Sequence, residues 1–318
     1  MNIFKKWVIA LQKLVIVFGE SKVVSFVINT SKKMVIPGFD RIPLYDVTVF
    51  FIRGLQKGSL TTRAASLSFT FFLALFPAII FFFTIIPYIP VVSFQETLLN
   101  LLKEVIPGNA FDAVKATVED IILRQRGGLL SVGFILALYF STSGVNSIIT
   151  EFNNTYHTIE TRNWFITRLI SIFLVVLIST LIIIAIVLIT TGAFLLNFLE
   201  EKQILTNSFT LVMLELGRWV VVIALIFFSI SFLYFFAPAK RTKFRLFSAG
   251  STLATLLSLA TTLGFNYYVS NFSKYNTLYG SIGTLIVVLL WINFNAIVLL
   301  IGFELNASIL NAKKNKNH

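Results

Sequence analysis

Few groups in this sequence could do chemistry, and they sit in apolar company. Glu304 lies in Gly302-Phe303-Glu304-Leu305-Asn306, just past a charge-free stretch running from Tyr275 to Phe303. Asn293 precedes it by eleven residues, which at about 100° per residue returns to within roughly 20° of the same helical face. Asn295 and Asn306 repeat that relation. One helix would therefore carry two polar stripes, the first ending in a carboxylate. A carboxylate among apolar side chains needs a cation, a hydrogen-bond network or a proton. Arg63, at the start of the first long apolar stretch, is the cation that could lie at the same depth. A Glu304 that snorkels into solvent is the alternative, and the residues leave both open.

Other polar groups interrupt the apolar runs. Pro77 falls in the middle of the first, where it removes a backbone hydrogen bond to the Leu73 carbonyl and favours a kink. Ser141-Thr142-Ser143-Gly144, with Asn146 and Ser147, makes a dense hydroxyl seam in the second. Such a seam either lines a cavity or packs closely with its hydroxyls bonded to backbone, and packing is the commoner use. Gly250, Ala254, Ser258 and Thr262 recur every fourth residue, a small-residue ladder that lets two helix backbones approach.

Much chemistry is excluded. There is no Cys, and the two histidines, His157 and His318, cannot form a zinc site. No phosphate-binding G-x-x-x-x-G-K-[ST] and no G-x-S-x-G elbow occurs. The acids at Glu96, Glu104, Asp112, Glu119 and Asp120 are scattered, without the close grouping of a two-metal nuclease. The expectation is a protein that is not an enzyme, with no cofactor, no bound metal and no nucleic-acid partner.

The elements that must position these residues follow from composition. Of 318 residues, 57% are hydrophobic and 13% charged, with 34 Phe. Soluble domains run near 45–50% and about 25%, and a chain this apolar has too little interior to hide its surface from water. Lipid is the natural solvent, and a hydrocarbon core about 30 Å thick needs ~20 apolar residues per helix. Six charge-free stretches are long enough, predicting spans at about 67–90, 129–150, 169–195, 218–238, 246–270 and 283–310. The runs lack period-two alternation, so the fold class is an all-α polytopic membrane protein built on a six-transmembrane-helix bundle. Residues 61–312 form that domain, and 313–318 a basic tail.

Residues 1–60 are broken by lysines at 5, 6, 13, 22, 32 and 33 and cannot span. Trp7, Leu11, Leu14 and Phe18 share one helical face. That pattern suits a helix lying in the headgroup region or one docked on its own bundle. A second amphipathic segment, Phe39 to Gln56, leads into the first span. In the first loop, Leu98, Leu101, Leu102 and Val105, then a helix from Phe111 to Arg124, suggest a second interfacial rim. Nineteen of the 26 Lys and Arg fall on the side of both termini and seven on the other, predicting both termini in the cytoplasm. The net charge of +12 is thereby explained by topology, with anionic headgroups at the cytoplasmic face as partners. A homo-oligomer and other envelope proteins stay open as further partners.

In the order and spacing of its short motifs the chain resembles the YihY/BrkB family of bacterial inner-membrane proteins. The resemblance rests on Arg63-Ala64-Ala65-Ser66-Leu67, Leu75-Phe76-Pro77, Asn153-Asn154-Thr155-Tyr156 and Arg162. It continues with Pro238, the basic run Lys240-Arg241-Lys243-Arg245 and Gly250. Densest are Tyr275-Asn276-Thr277-Leu278-Tyr279-Gly280, Gly283, Trp291 and Gly302-Phe303-Glu304-Leu305-Asn306. It covers roughly residues 40–312 and implies six spans in a bacterial plasma membrane. Family members carry labels as a tRNA-processing ribonuclease and as virulence or serum-resistance factors. The resemblance marks Pro77, Asn153, Tyr156, Tyr279, Gly280, Trp291, Glu304 and Asn306 as positions to test; the apolar-span reading adds Arg63, Asn146 and Asn293. Together these features suggest passage of an envelope lipid or other amphiphile between leaflets. A membrane scaffold and the ribonuclease are the competing readings.

Overall fold

A computed structural model describes residues 22–36, 38–40, 42–57, 59–88, 124–155, 158–159, 162–201, 208–239, 247–271 and 274–316. The stripe expected at residues 7–18 lies outside them, as do the rim stripe expected at 98–105 and, apart from Arg124, the helix expected from Phe111 to Arg124. Of the helices among the described residues, two short ones come first, α1 (Lys22–Lys33) and α2 (Leu44–Lys57). Six long ones follow: α3 (Leu60–Ile85), α4 (Gly127–Asn153), α5 (Trp164–Glu201), α6 (Ser208–Phe236), α7 (Ala249–Asn271) and α8 (Lys274–Lys316). A 3₁₀ turn, Ile86–Tyr88, extends α3. The only strands among the described residues are two-residue pieces beyond α4, Asn154–Thr155 (β1) and Thr158–Ile159 (β2), paired antiparallel with Asn154 opposite Ile159.

Each long helix packs on the next in the chain, and α8 returns to α3, so the six close into a ring of neighbours. Five have stretches long and apolar enough to cross a bilayer: Leu60–Tyr88, Gly127–Asn153, Trp164–Ile189, Val212–Phe236 and Leu285–Asn315. The expected six is thus met by five on apolarity. The difference is α7, which is free of charge but diluted by Gly250, Ser251, Thr252, Thr255, Ser258, Thr261, Thr262 and Gly264. Several of those residues, Gly250, Ser251, Thr255 and Ser258, serve helix contact in place of lipid contact. Gly250 faces Gly302 so closely that a Cβ on either would overlap the other's carbonyl oxygen. Ala254 is fully buried beside Gly302, and Ser258 bonds Asn295 at 3.0 Å. Thr262 is exposed, so the ladder acts over its first three rungs.

The main apolar core gathers toward one end of the ring, where α3, α5 and α7 begin and α4 and α6 finish. It joins Leu67 of α3, Ile149 and Phe152 of α4, Leu174 of α5, Tyr234 of α6 and Leu300 and Phe303 of α8. Phe152 stacks on Phe303 at 4.1 Å between ring centroids, and Tyr234 sets its edge against both. Toward the other end the same helices turn large side chains outward, including Phe82, Ile135, Ile183, Val220 and Leu263.

Pro77 is buried in α3, and the helix runs on through it to Ile85. Hydroxyls satisfy themselves on their own helices. Thr142, Ser143 and Ser147 each donate to the carbonyl four residues back, at 2.8, 2.8 and 3.0 Å. This is the packing use of that seam, with Gly144 set against the Phe71 ring.

A second core cluster lies on the outer side of α8. Phe39, Ile42 and Val47 bury against Leu305, Ile309 and Ala312, and Lys313 reaches Asp40 at 3.1 Å. The amphipathic segment expected from Phe39 to Gln56 thus turns its apolar face to α8. Ser59, at φ 49°, makes the sharp turn between α2 and α3.

Candidate functional site

Arg63, near the start of α3, lies at the packed end of the ring with its side chain only 10% exposed. Its Nε donates to a carboxylate oxygen of Glu151 at 3.1 Å, and its Nη2 donates to the Glu151 carbonyl. On another side its Nη1 comes within 4.0 Å of Glu304 Oε2. One guanidinium therefore holds two carboxylates from α4 and α8, and the 2% exposure of Glu304 removes the snorkelling alternative.

The helices dictate this meeting. Glu151 is in the last turn of α4, where a charge normally marks the end of a span, but α4 lies antiparallel on α3 and brings it to Arg63. The carboxylates sit next in sequence to Phe152 and Phe303, whose stacked rings form an apolar wall beside them. α2 supplies the outer cover: Gly54 packs so tightly on Glu304 that a Cβ there would overlap its carboxylate. Only glycine leaves room for that contact.

The two stripes of α8 find separate partners. Asn293 donates to Ser68 Oγ of α3 at 3.1 Å, on the face that carries Glu304. On the other face Asn306 accepts from the Gly250 N–H at 2.8 Å and donates to Ser248 Oγ at 3.0 Å. One stripe thus ties α8 to α3 and the other ties it to α7, closing the ring on both sides. An amide in hydrocarbon without partners costs several kcal/mol, so these bonds set the rotation of α8.

Beside the ion cluster the chain crosses from α4 to α5 and leaves α6. Asn153 Oδ1 accepts the Ala239 N–H at 2.7 Å. Arg162 donates to the carbonyls of Phe236, Pro238 and Ala239 at 3.4, 2.6 and 3.1 Å. These carbonyls end α6 without intrahelical donors, and a cation there also complements the helix dipole. The basic residue of the resemblance is thereby a cap on a neighbouring helix.

Of the residues singled out, Arg63 and Glu304 come together; Asn293, about 16 Å back along α8, meets α3 separately through Ser68, and Asn153 and Asn306 belong to adjoining networks at the cluster's end. Asn146 is half-buried in α4, with its carbonyl accepting from Thr150. Pro77 stands fourteen residues, or about 21 Å, up α3 from Arg63. Trp291 is 41% exposed on α8, and its carbonyl accepts from Asn295 at 2.9 Å, away from the Arg63 cluster. Tyr279 and Gly280 fall in the first turns of α8, their surroundings outside the described set, and Tyr156 lies outside it altogether. Sequence reasoning passed over Glu151 and Gly54. The available signal for Glu151 was its single-residue spacing from Asn153; Gly54 carried none. Among the described residues no three His, Cys, Asp or Glu group as metal ligands would.

Comparison with known proteins gives a consistent family. Residues 51–318 match the family described as virulence factor BrkB. The chain is 31% identical to the ribonuclease-like protein YfkH of Bacillus subtilis over 253 residues, 80% of this chain and 91% of that one. It is 26% identical to a UPF0761 membrane protein of Alteromonas mediterranea over 275 residues, covering 86% and 90% of the two chains. A UPF0761 membrane protein of Aggregatibacter aphrophilus matches at 26% over 277 residues, 85% and 93%. No solved structure matches.

Proposed function

We propose that this chain, which belongs to the virulence factor BrkB family, moves the polar headgroup of an envelope lipid or related amphiphile between the leaflets of a bacterial plasma membrane. The observation that carries this reading is the Arg63–Glu151–Glu304 cluster, buried at one end of a ring of apolar helices. A passive scaffold gains nothing from such a cluster. Apolar residues of the same volume would pack at least as stably, so ionisable groups inside a bundle point to a polar path or a switch. The cover formed by α2 and Gly54 is a lid that a headgroup would have to pass.

In this reading α7 is the sixth span, since 23 residues reach about 34 Å, enough for the hydrocarbon core. Six spans put both termini on one side, and the excess of Lys and Arg there makes it the cytoplasm. The ion cluster then lies near the cytoplasmic face, within reach of anionic headgroups.

The test is reconstitution into liposomes carrying a short-chain fluorescent phospholipid in both leaflets, followed by quenching from outside with an impermeant reductant. Wild-type protein should expose nearly all the fluorescence, while Glu304→Gln should leave the inner half protected despite normal insertion. Protection of the inner half by the wild-type protein as well would favour the scaffold.

A further inference from the structure

A second cation, mostly but not fully buried, stands at the opposite end of the ring. Arg218 lies in α6, six residues inside the apolar stretch Val212–Phe236, so about 9 Å from its start. Eighteen residues separate it from Phe236, or about 27 Å, close to the thickness of a hydrocarbon core. Its side chain is 13% exposed. Its Nη1 is buried, with no hydrogen-bond partner among the described residues. Nη2 is 3.5 Å from Glu215, one turn earlier on the same helix, but that carboxylate is 57% exposed and screened by water.

The surroundings are shaped for the side chain. Gly192 of α5 faces it, and a Cβ there would come within 2.7 Å of Arg218 Cδ and 3.8 Å of Nη1. Glycine therefore opens a notch between α5 and α6 into which the arginine stem lies. The guanidinium also sits 5.8 Å from the ring of Trp219, which is 46% exposed, and a Trp there is at home at headgroup depth. Burying a guanidinium with a donor unmet is strongly unfavourable unless an anion completes it. A phosphate does so best, because the planar fork of arginine matches two of its oxygens.

We propose that the Arg218–Gly192–Trp219 notch is a binding site for a phosphate group, that of a phospholipid headgroup in the leaflet opposite the Arg63 cluster. Binding there is independent of whether the headgroup is later moved. Phosphate dissolved in water has the same chemistry, so the two sources are separated by experiment.

Full-length protein purified in detergent is mixed with phosphatidylglycerol, with diacylglycerol of the same chains, or with inorganic phosphate. Native mass spectrometry counts retained lipid, and thermal unfolding reports stabilisation by each. Wild-type protein should retain phosphatidylglycerol over diacylglycerol. Arg218→Gln should weaken that retention about tenfold, the loss of one charge-assisted pair, and Gly192→Ala should weaken it severalfold by displacing the guanidinium. Arg218→Lys, which keeps the charge and loses the fork, should fall between and serves if Arg218→Gln does not fold. Stabilisation by inorganic phosphate that Arg218→Lys reduces would support a phosphate site filled from water. Equal retention of phosphatidylglycerol by the wild type and these variants, or equal retention of diacylglycerol, would overturn the proposal. Because retention is read without any transfer assay, its failure is distinct from failure of lipid movement.

Discussion

If Arg63 is shared by two carboxylates, its removal must hurt far more than removal of either one. In Arg63→Gln, Glu304 at 2% exposure and Glu151 at 17% face each other across a neutral amide. Stripping the cation from buried carboxylates costs about 3–5 kcal/mol. In Glu304→Gln the arginine keeps Glu151 at 3.1 Å and loses only the contact at 4.0 Å. That should cost about 1–2 kcal/mol, the range of one weakened polar interaction. The double variant removes one of the two stranded carboxylates and should recover about 1–2 kcal/mol over Arg63→Gln alone, the non-additivity expected of direct neighbours. Unfolding in mixed micelles with rising SDS, followed by helical circular dichroism and by the four tryptophans, measures all three. An Arg63→Gln protein within about 1 kcal/mol of wild type, well below the cost of breaking a buried pair, or a double variant no more stable than Arg63→Gln, would refute the shared guanidinium.

Three further outcomes follow. Gly250→Leu drives a side chain into the Gly302 carbonyl and Asn306 and should destabilise by at least about 3 kcal/mol. Gly264→Leu, on the same helix with nothing near it, should change stability by no more than about 0.5 kcal/mol in the same SDS titration. Because the chain has no cysteine, a cysteine placed at Ala113 should react with an impermeant maleimide added to intact cells, and one at Asn315 should react only after lysis. Purified protein should not cleave tRNA precursors above a mock preparation. Metal-dependent cleavage that co-purifies and disappears on substitution of an acidic residue would contradict that.

How much was legible depended on whether a residue's partner was implied by its own helix. Asn293 with Glu304, and Asn295 with Asn306, were readable because spacing alone puts each pair on one face, and amides in apolar helices must find donors or acceptors. Gly250 and Ala254 were readable for a similar reason, since small residues at every fourth position have few uses except contact. Glu151 was not, because a charge at the end of an apolar run reads as the end of the run. Only the antiparallel packing of α4 on α3 reveals it as the first partner of Arg63. Gly54 was invisible, since its role depends on the carboxylate of a helix some 250 residues later. The count of spans was blurred at α7 by the same hydroxyls and glycines that make it pack well. Trp291 carried a family signal, and its side chain proves exposed on the α8 surface, away from the Arg63 cluster.

The docking of α2 on α8 also has a consequence for how the protein is made. The partners of α2, namely Glu304, Leu305 and Ile309, leave the ribosome some 250 residues after it. At about 5–20 residues per second, α2 waits roughly 12–50 s for them. Arg63 does not wait as long, because Glu151 follows it by only 88 residues. In the half-made chain Glu151 can neutralise the arginine as α3 and α4 enter the membrane as a hairpin. Glu304 then arrives at a guanidinium already held in place. On this account Glu151 acts as an assembly partner, and its loss should show first as poor yield during synthesis, before any defect in the finished protein.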